Sequence, residues 1–448
     1  MPDAPLIGPY SPDAVLAWEA DGPRTARQFL SDVSRLADSL PDRPAVLNLL
    51  SSRYEFLVGF AAAMLRGQLT LLPQSRAPQT LRRIAGDYRE SYCLTNQDEP
   101  VEGIESVVLR RHGSIAGWPK KLPHVPLDQV AAIAFTSGST GQPMPNRKTW
   151  GALTAVARAT GARLGLKAGE SAAVVATVPH QHMFGLEASV MLPIMHGLVM
   201  HAGRPLFPAD IRDALAEVEG TRILVTTPLH LRACVTEGVR VPPVRLILSA
   251  TAPLSRSLAQ EAERHFQTEA HEIFGFAEAG SVAERRTTEG DQWRLLDGVR
   301  LAQDQAVWTV QAAYLPTPVR VPDRITVDAE GQFVVHGREA DQINVAGHRV
   351  SLGDLNQKLL EIEGVQDGVF FLPDEGAELV TRLIACVVAP GKTVEEIQLA
   401  LRRRIDPVFL PRPLLLVPQL PRNGTGKLPR EALLQLAEQH GKGLPHEA

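Results

Sequence analysis

Apolar and polar positions follow two alternating periodicities along the first three quarters of the chain. Apolar residues recur at helical spacing through 25–40, and 54–66 also has a helical pattern, so the sequence predicts two helices there. Short continuous apolar runs between such segments are typical of buried strands; they lie at 45–50, 69–72, 130–135, 172–177, 223–225 and 246–249. Strands that alternate with helices predict an α/β fold of mostly parallel sheets covered by helices, with ligands at the carboxyl ends of the strands.

The pattern changes after about Val307. Short strand-like segments at 324–327 and 332–335 precede a polar stretch, 337–350, that contains two glycines. A helix at 353–363 and strands at 369–372 and 383–388 are predicted beyond it. We therefore expect a large N-terminal domain over 1–337, a hinge over 338–343 and a small C-terminal α+β domain over 344–448.

Composition excludes several classes of function. The chain has 448 residues, and its 46 Lys and Arg against 50 Asp and Glu give a net charge of −4, which argues against a dedicated nucleic-acid-binding protein. Cys93, Cys234 and Cys386 are far apart, which favours reduced thiols in a cytoplasmic protein. The N-terminus lacks a secretory pattern, and the apolar runs are too short to span a bilayer, so no stable membrane insertion is expected.

A run of hydroxyl residues and glycines at 136–143 carries the first candidate chemistry. It follows the predicted strand 130–135, and such a loop can wrap backbone N–H groups around phosphate oxygens. No Gly-Lys-Ser/Thr follows, so it is not a Walker loop; a polar surface turn is the alternative interpretation. The candidate phosphate contacts are Thr136, Ser137, Gly138, Ser139, Thr140 and Gly141.

Three further segments share this loop's resemblance to one family. Phe274–Glu278 resembles an aromatic-Gly-x-Thr-Glu motif, Asp323 followed by Gly337–Asp341 resembles a ribose-binding aspartate and hinge, and Pro421–Lys427 resembles a catalytic-lysine loop. In this order and spacing they resemble the adenylate-forming superfamily, which contains acyl- and aryl-CoA synthetases, peptide-synthetase adenylation domains and luciferases. The resemblance implies that the C-terminal domain is a mobile lid.

The resemblance also implies a reaction. A carboxylic acid is activated with ATP and Mg²⁺ to an acyl-adenylate and passed to the phosphopantetheine thiol of CoA or an acyl carrier protein. Glu278, with Thr140, is then expected to hold magnesium, and Lys427 to stabilise charge between the carboxylate and the α-phosphate. The implied nucleotide contacts also include Ala250, Thr251, Phe274, Gly275, Phe276, Ala277, Asp323 and Arg338.

Three of these residues also have interpretations that involve no nucleotide. Phe274, which the resemblance stacks on adenine, could be a core residue. Asp323, expected to bind the ribose hydroxyls, could be a turn residue after Pro322, and Arg338 could be a solvated charge. Arg338 lies fifteen positions after Asp323, and this spacing favours the nucleotide interpretation because the family uses it.

The acid and the acceptor have candidate contacts as well. His182, in the segment 179–185, matches the family position near the substrate carboxylate, although a partly buried, satisfied histidine is equally compatible with the sequence. The acid pocket is expected to include His182, Phe184, Pro228, Ser249 and Ala250. The segment with Asn344, Gly347 and Arg349 resembles the one that faces the thiol acceptor.

Two departures from the family pattern matter. Met144 stands where the family's loop has lysine, so Arg147 or Lys148 is expected to reach the β- and γ-phosphates instead, and Ala277 stands where threonine is usual. The short chain and shifted lysine look like the small ligases of bacterial aryl-polyene and xanthomonadin-type pigment clusters, which favours a small aromatic acid. An amide-forming ligase and a catalytically weak acid- or nucleotide-binding homologue are the alternatives.

Overall fold

The computed structural model describes residues 2–73, 75–96, 101, 103–110, 117–137, 143–305, 307–338, 342–345, 348–372, 383–422 and 428–440. Its strands are β1 (Asp3–Pro5), β2 (Val15–Glu19), β3 (Gly22–Thr25), β4 (Ala45–Asn48), β5 (Leu69–Leu72), β6 (Tyr92–Thr95), β7 (Ser106–Val108), β8 (His124–Pro126), β9 (Val130–Ser137), β10 (Pro143–Thr149), β11 (Ala172–Ala176), β12 (Val199–His201), β13 (Thr221–Thr226), β14 (Leu246–Ser249), β15 (Glu269–Phe276), β16 (Gly280–Arg286), β17 (Arg294–Leu295), β18 (Val299–Asp304), β19 (Val307–Ala312), β20 (Val319–Arg320), β21 (Asp323–Val327), β22 (Phe333–Arg338), β23 (Gln342–Val345), β24 (His348–Ser351), β25 (Asp367–Phe371), β26 (Ile384–Val388) and β27 (Leu414–Leu416).

Helices separate most of these strands. They are α1 (Ala26–Ser39), α2 (Arg53–Leu65), α3 (Pro78–Asp87), α4 (Trp150–Arg163), α5 (Met183–Leu186), α6 (Leu192–His196), α7 (Pro208–Glu217), α8 (Pro228–Glu237), α9 (Arg256–Phe266), α10 (Leu352–Leu360), α11 (Val394–Arg402) and α12 (Arg430–His440). A π-helical turn, Glu187–Met191, joins α5 to α6, and a 3₁₀ turn spans Pro407–Phe409.

Two large sheets form the N-terminal part of the fold. One has the strand order β10–β9–β5–β4–β6–β7, and the other has the order β17–β16–β15–β14–β13–β11–β12–β2–β3. Their central strands pair in parallel and are apolar on both faces, as expected for strands covered by helices on each side. The carboxyl ends of these strands therefore meet at common edges, where the candidate residues lie.

Sequence-local signals explain where the first helices begin. The Thr25 side chain accepts from the backbone N–H of Gln28, and the Gln28 side chain accepts from the backbone N–H of Thr25, so a capping box starts α1. Ser52 caps α2 in a similar way. Helix α2 is apolar on nearly all sides and almost wholly buried, which is the expected fate of a helix without a polar face.

The C-terminal part is a smaller α+β arrangement with apolar cores of its own. Sheet β25–β26–β27 packs with α10 and α11 around residues such as Leu355, Phe370 and Leu401. Its other face packs with α12 around Val369 and Ala437. The α/β fold class is confirmed, whereas the division at 337 and 344 stays a prediction.

Most predicted elements are confirmed to within a residue or two. The run 130–135 lies within β9, and the helix predicted at 54–66 is α2. The helix predicted at 353–363 ends at Leu360, because the chain turns there toward Gly364, whose φ is +87°. Within the described residues no helix is long and apolar enough to cross a membrane.

Candidate active site

The phosphate-loop candidate closes a β-hairpin. Strands β9 and β10 pair antiparallel, with Thr136 opposite Met144 and Ser137 opposite Pro143. Both ends of the loop are therefore held side by side at the edge of the first sheet. Gly138, Ser139, Thr140 and Gly141 lie outside the described residues, so their phosphate contacts stay predictions.

Two buried hydroxyls lie at the carboxyl end of β14. Ser249 ends this strand, and among the described residues neither Ser249 Oγ nor Thr251 Oγ1 has a hydrogen-bond partner. Thr251 has a φ of +79°, a conformation that a β-branched residue rarely adopts and that costs about 1–3 kcal/mol. Ala250, between them, is 6% exposed. Unpaired hydroxyls and local strain at the end of a central parallel strand fit a polar ligand such as a nucleotide.

Glu278 lies on the turn between β15 and β16. Gly275, at the base of the turn, has no room for a side chain, since a Cβ would lie 2.5 Å from the carbonyl oxygen of Gly280. Ala277 is partly buried, whereas Glu278 is exposed. An exposed carboxylate on a tight turn suits Mg²⁺, which binds nucleotide phosphates together with one or two carboxylates. Glu278 thus fits a metal site that the nucleotide completes.

Phe274 and Phe276 belong to an aromatic cluster beside this turn. The ring of Phe274 lies 5.5 Å from those of both Trp293 and Phe333, and 6.2 Å from that of Phe276. Phe276 is buried, whereas Phe274 is partly exposed. The cluster fixes the ring of Phe274 on three sides, and its stacking on adenine stays a prediction.

Lys148 approaches the Glu278 turn from β10. It is 4% exposed, and its Nζ donates to the backbone carbonyl of Glu278 at 3.0 Å. Burial lowers the pKa of Lys148, while the carboxylates of Glu187 and Glu278 oppose that shift. Arg147 is exposed. A contact from either side chain to the nucleotide phosphates stays a prediction.

The acid-site segment is built around close backbone packing. His182 is the N-cap residue of α5 and is partly buried, and Phe184 is 8% exposed. A Cβ on Gly185 would lie 1.9 Å from the carbonyl oxygen of Pro179, so only glycine lets α5 pack on this loop. Pro228 begins α8 beyond the neighbouring strand β13. These positions follow the carboxyl ends of β11, β13 and β14, and their role as an acid pocket stays a prediction.

Arg53, buried beneath this segment, was not predicted from the sequence. Its guanidinium donates to the carbonyls of Ala176, Val178, His201 and Gly203 and to the hydroxyl of Ser189, at 2.7–3.2 Å. Burial lowers its pKa to about 9. The positive charge of Arg53 also helps burial to lower the pKa of His180 to about 3. Arg53 thus joins α2, β11 and β12 below the acid site.

The ribose and hinge candidates are opposite each other on one hairpin. Asp323 and Arg338 are register partners at the open end of β21–β22, so the fifteen-residue spacing reflects a β-hairpin. Asn344 and Arg349 are likewise partners on β23–β24. Gly347 and Lys427 lie outside the described residues. The roles of all six residues stay predictions.

Three buried charged residues that support the site were not recognised from the sequence. Arg53 and Glu187 were not predicted to have any role, and Lys148 was not expected to be buried. Lys148 follows Arg147 and precedes Thr149, a context typical of a solvated strand end. A weak signal exists for Glu187, which is the one charged residue in the mostly apolar stretch from Met183 to Met195. A charge in such a stretch is buried with a partner or is functional.

Comparisons with known proteins show the family of this chain. The model of the family described as AMP-binding enzyme matches residues 11–337, more than two thirds of the chain. A 4-coumarate–CoA ligase of Rhodobacter capsulatus is 27% identical over 310 residues, covering 68% of this chain and 76% of the relative. A probable 2-succinylbenzoate–CoA ligase of Mycobacterium tuberculosis is 28% identical over 334 residues, covering 69% of this chain and 85% of the relative.

Solved structures share the fold at low sequence identity. O-succinylbenzoate coenzyme A synthetase from Bacillus subtilis, in complex with AMP, has a TM-score of 0.80 at 17% identity, covering 96% of this chain and 98% of that one. ATP-bound MatB from Rhodopseudomonas palustris has a TM-score of 0.77 at 16% identity, covering 96% of each chain. These likenesses extend over the C-terminal part, which the family match does not reach.

Proposed function

Because the chain belongs to the AMP-binding enzyme family, we propose that it activates a small aromatic carboxylic acid with ATP and transfers the acyl group to a phosphopantetheine thiol. It is an AMP-forming acid–thiol ligase. The observation that carries the proposal is the group of Ser249, Thr251 and Glu278. It combines two hydroxyls that have no hydrogen-bond partner among the described residues with an exposed carboxylate, all at the strand ends of one sheet.

The first half-reaction joins the acid to the nucleotide. A carboxylate oxygen attacks the α-phosphorus of ATP, the bond to the β-phosphate breaks, and pyrophosphate leaves. Mg²⁺ on Glu278 would neutralise charge on the phosphates. Thr251 and Ser249 offer hydrogen-bond donors to the nucleotide or the acid, and Lys427 on the lid would supply the remaining positive charge. Positioning and electrostatics account for most of the rate in such a transfer.

The second half-reaction passes the acyl group to sulfur. The thiolate attacks the acyl carbon, the carbon–oxygen bond to AMP breaks, and AMP leaves with its phosphate oxygen. We infer that Asn344, Gly347 and Arg349 face the acceptor in this step. The relatives named as ligases use CoA, which supports a CoA-type acceptor, and a carrier protein presents the same phosphopantetheine thiol.

Two observations support an aromatic acid. The relatives are named for 4-coumarate and 2-succinylbenzoate, both aromatic acids. Ala250 is small, and Phe184 and His182 lie on the neighbouring segment, so a flat ring could be bound by ring contact and a hydrogen bond. On this proposal the pocket is compact, and it would disfavour a long acyl chain.

The test is acid-dependent pyrophosphate release over a panel of hydroxybenzoates, coumarate, octanoate and palmitate, followed by addition of CoA or a holo carrier protein. We expect the aromatic acids to give the highest kcat/KM and a thioester to form on an added thiol. A clear preference for palmitate would contradict the pocket argument. Release of the adenylate to an amine in place of a thiol would instead favour an amide ligase.

A further inference from the structure

A buried charge pair lies directly below the Glu278 turn, outside the set of groups that contact substrate in the proposed function. Lys148 on β10 is 4% exposed and Glu187 on the π-helical turn is 5% exposed. Each side chain contacts the turn between β15 and β16, and the charge of each group opposes the pKa shift that burial causes in the other. Burying two ions costs several kcal/mol each before their mutual attraction is counted, so the arrangement needs an explanation.

Lys148 holds the tip of the turn. Its Nζ donates to the backbone carbonyl of Glu278 at 3.0 Å, which fixes the peptide that follows the Glu278 side chain. The lysine enters from β10, whose other end closes the phosphate loop. The position of the Glu278 backbone is thus tied to the strand that carries the loop.

Glu187 holds the far end of the same turn. One of its carboxylate oxygens accepts from the backbone N–H of Ser281 at 3.0 Å and from the Ser281 hydroxyl at 2.6 Å. The other oxygen lies against Gly280, whose φ is +84° and where a Cβ would be 2.5 Å away. Burial raises the pKa of Glu187, and the Ser281 hydrogen bonds and the Lys148 charge oppose that shift.

The π-helical turn explains how Glu187 reaches this position. A π turn is rare and often lies at a functional site, because it rotates side chains away from the register of the flanking α-helices. Here it follows α5, whose N-cap residue is His182. The pair therefore connects three elements of the proposed site: the phosphate-loop strand, the acid-site helix and the Glu278 turn.

We propose that Lys148 and Glu187 are positioning residues that hold the Glu278 carboxylate in place for magnesium, and that Lys148 compensates in this way for the cation missing at Met144. The inference rests on the proposed function. A displacement of about 1 Å in a catalytic group can cost about 100-fold in rate, so a preorganised Glu278 offsets the absence of a direct lysine contact.

The first test measures the turn itself, without nucleotide, metal or turnover. Backbone hydrogen exchange is followed over 277–281 in the wild type, Lys148→Met, Glu187→Gln and the control Lys167→Met, which removes an exposed lysine. We expect exchange of the Ser281 amide to be at least about 10-fold faster in Lys148→Met and in Glu187→Gln, and unchanged in the control. Unchanged protection in both variants would overturn the proposal.

The second test separates positioning from general stability. We expect Lys148→Met to lower the rate of adenylate formation by roughly 10–100-fold and to raise the Mg²⁺ concentration for half-maximal rate by about 10-fold. The KM for the acid and thioester formation from supplied acyl-adenylate should stay within about 2-fold, because neither requires magnesium at Glu278. Equal loss in both half-reactions would show a merely structural role and refute the inference.

A double variant tests whether Lys148 contacts the nucleotide phosphates directly. Met144→Lys is added to Lys148→Met, which restores a cation at the loop. We expect little recovery of the Mg²⁺ dependence. Full recovery would show that Lys148 binds phosphate in place of a lysine at 144 and does not act by holding the Glu278 turn, which would overturn the proposal. Failure of the proposed function is recognised separately, because wild-type protein would then form no adenylate with any acid.

Discussion

Replacement of Arg53 by methionine tests how the acid site is supported. The side chain is 1% exposed, and removing it leaves five acceptors without their donor: the carbonyls of Ala176, Val178, His201 and Gly203 and the Ser189 hydroxyl. A buried acceptor that loses its partner costs about 1–3 kcal/mol, so the gross loss is about 5–15 kcal/mol.

The removal of a buried charge opposes this loss of stability. Burial disfavours the charged guanidinium, as its pKa of about 9 shows, and methionine recovers several kcal/mol of that desolvation. Water and backbone relaxation will satisfy some of the freed carbonyls. We therefore expect a net destabilisation of about 3–5 kcal/mol, which is at the upper end for a single substitution.

The assay is thermal unfolding followed by circular dichroism. With an unfolding entropy of about 2.1 cal/mol/K per residue, this loss lowers Tm by roughly 4–7 °C for a unit of about 340 residues. The matched control is Arg27→Met on α1, where Arg27 pairs with exposed Asp13 at 3.2 Å and contributes about 0–1 kcal/mol. A Tm for Arg53→Met within about 1 °C of that control would show that the hydrogen bonds of Arg53 do not stabilise the fold.

Two further predictions concern the nucleotide. Lys427→Ala should reduce acyl-adenylate formation by roughly 10²–10³-fold, the cost of losing one preorganised electrostatic contact, while thioester formation from supplied acyl-adenylate changes much less; an equal loss in both half-reactions would remove Lys427 from this role. Asp323→Ala should weaken ATP binding by about 1.5–3 kcal/mol, because both ribose hydroxyls lose a charged acceptor; unchanged affinity by calorimetry, with the fold intact, would show that the ribose binds elsewhere.

Local patterns predicted the elements that carry the nucleotide motifs. The apolar runs at 130–135 and 246–249 become β9 and β14 because short apolar segments between helices are buried on both faces. The spacing of Asp323 and Arg338 also has a simple origin, since they face each other across one hairpin. Such features depend on residues that are near in sequence.

The supporting groups could not be predicted because their partners are distant. Lys148 contacts a carbonyl 130 residues away, and Arg53 contacts carbonyls more than 120 residues away. Nothing near either residue in the sequence distinguishes it from a solvated charge. The π-helical turn is likewise set by packing around Glu187, since no local pattern specifies an extra residue in a helical turn.

The most direct test of the acyl-adenylate pathway uses an acid labelled with ¹⁸O in both carboxylate oxygens. The labelled acid, ATP and a thiol acceptor are incubated with the enzyme, and the products are analysed by mass spectrometry. We expect AMP that carries one ¹⁸O and unlabelled pyrophosphate, because the carboxylate oxygen that attacks the α-phosphorus stays on it when the thioester forms. Label in inorganic phosphate, with ADP as the other nucleotide product, would contradict the acyl-adenylate pathway.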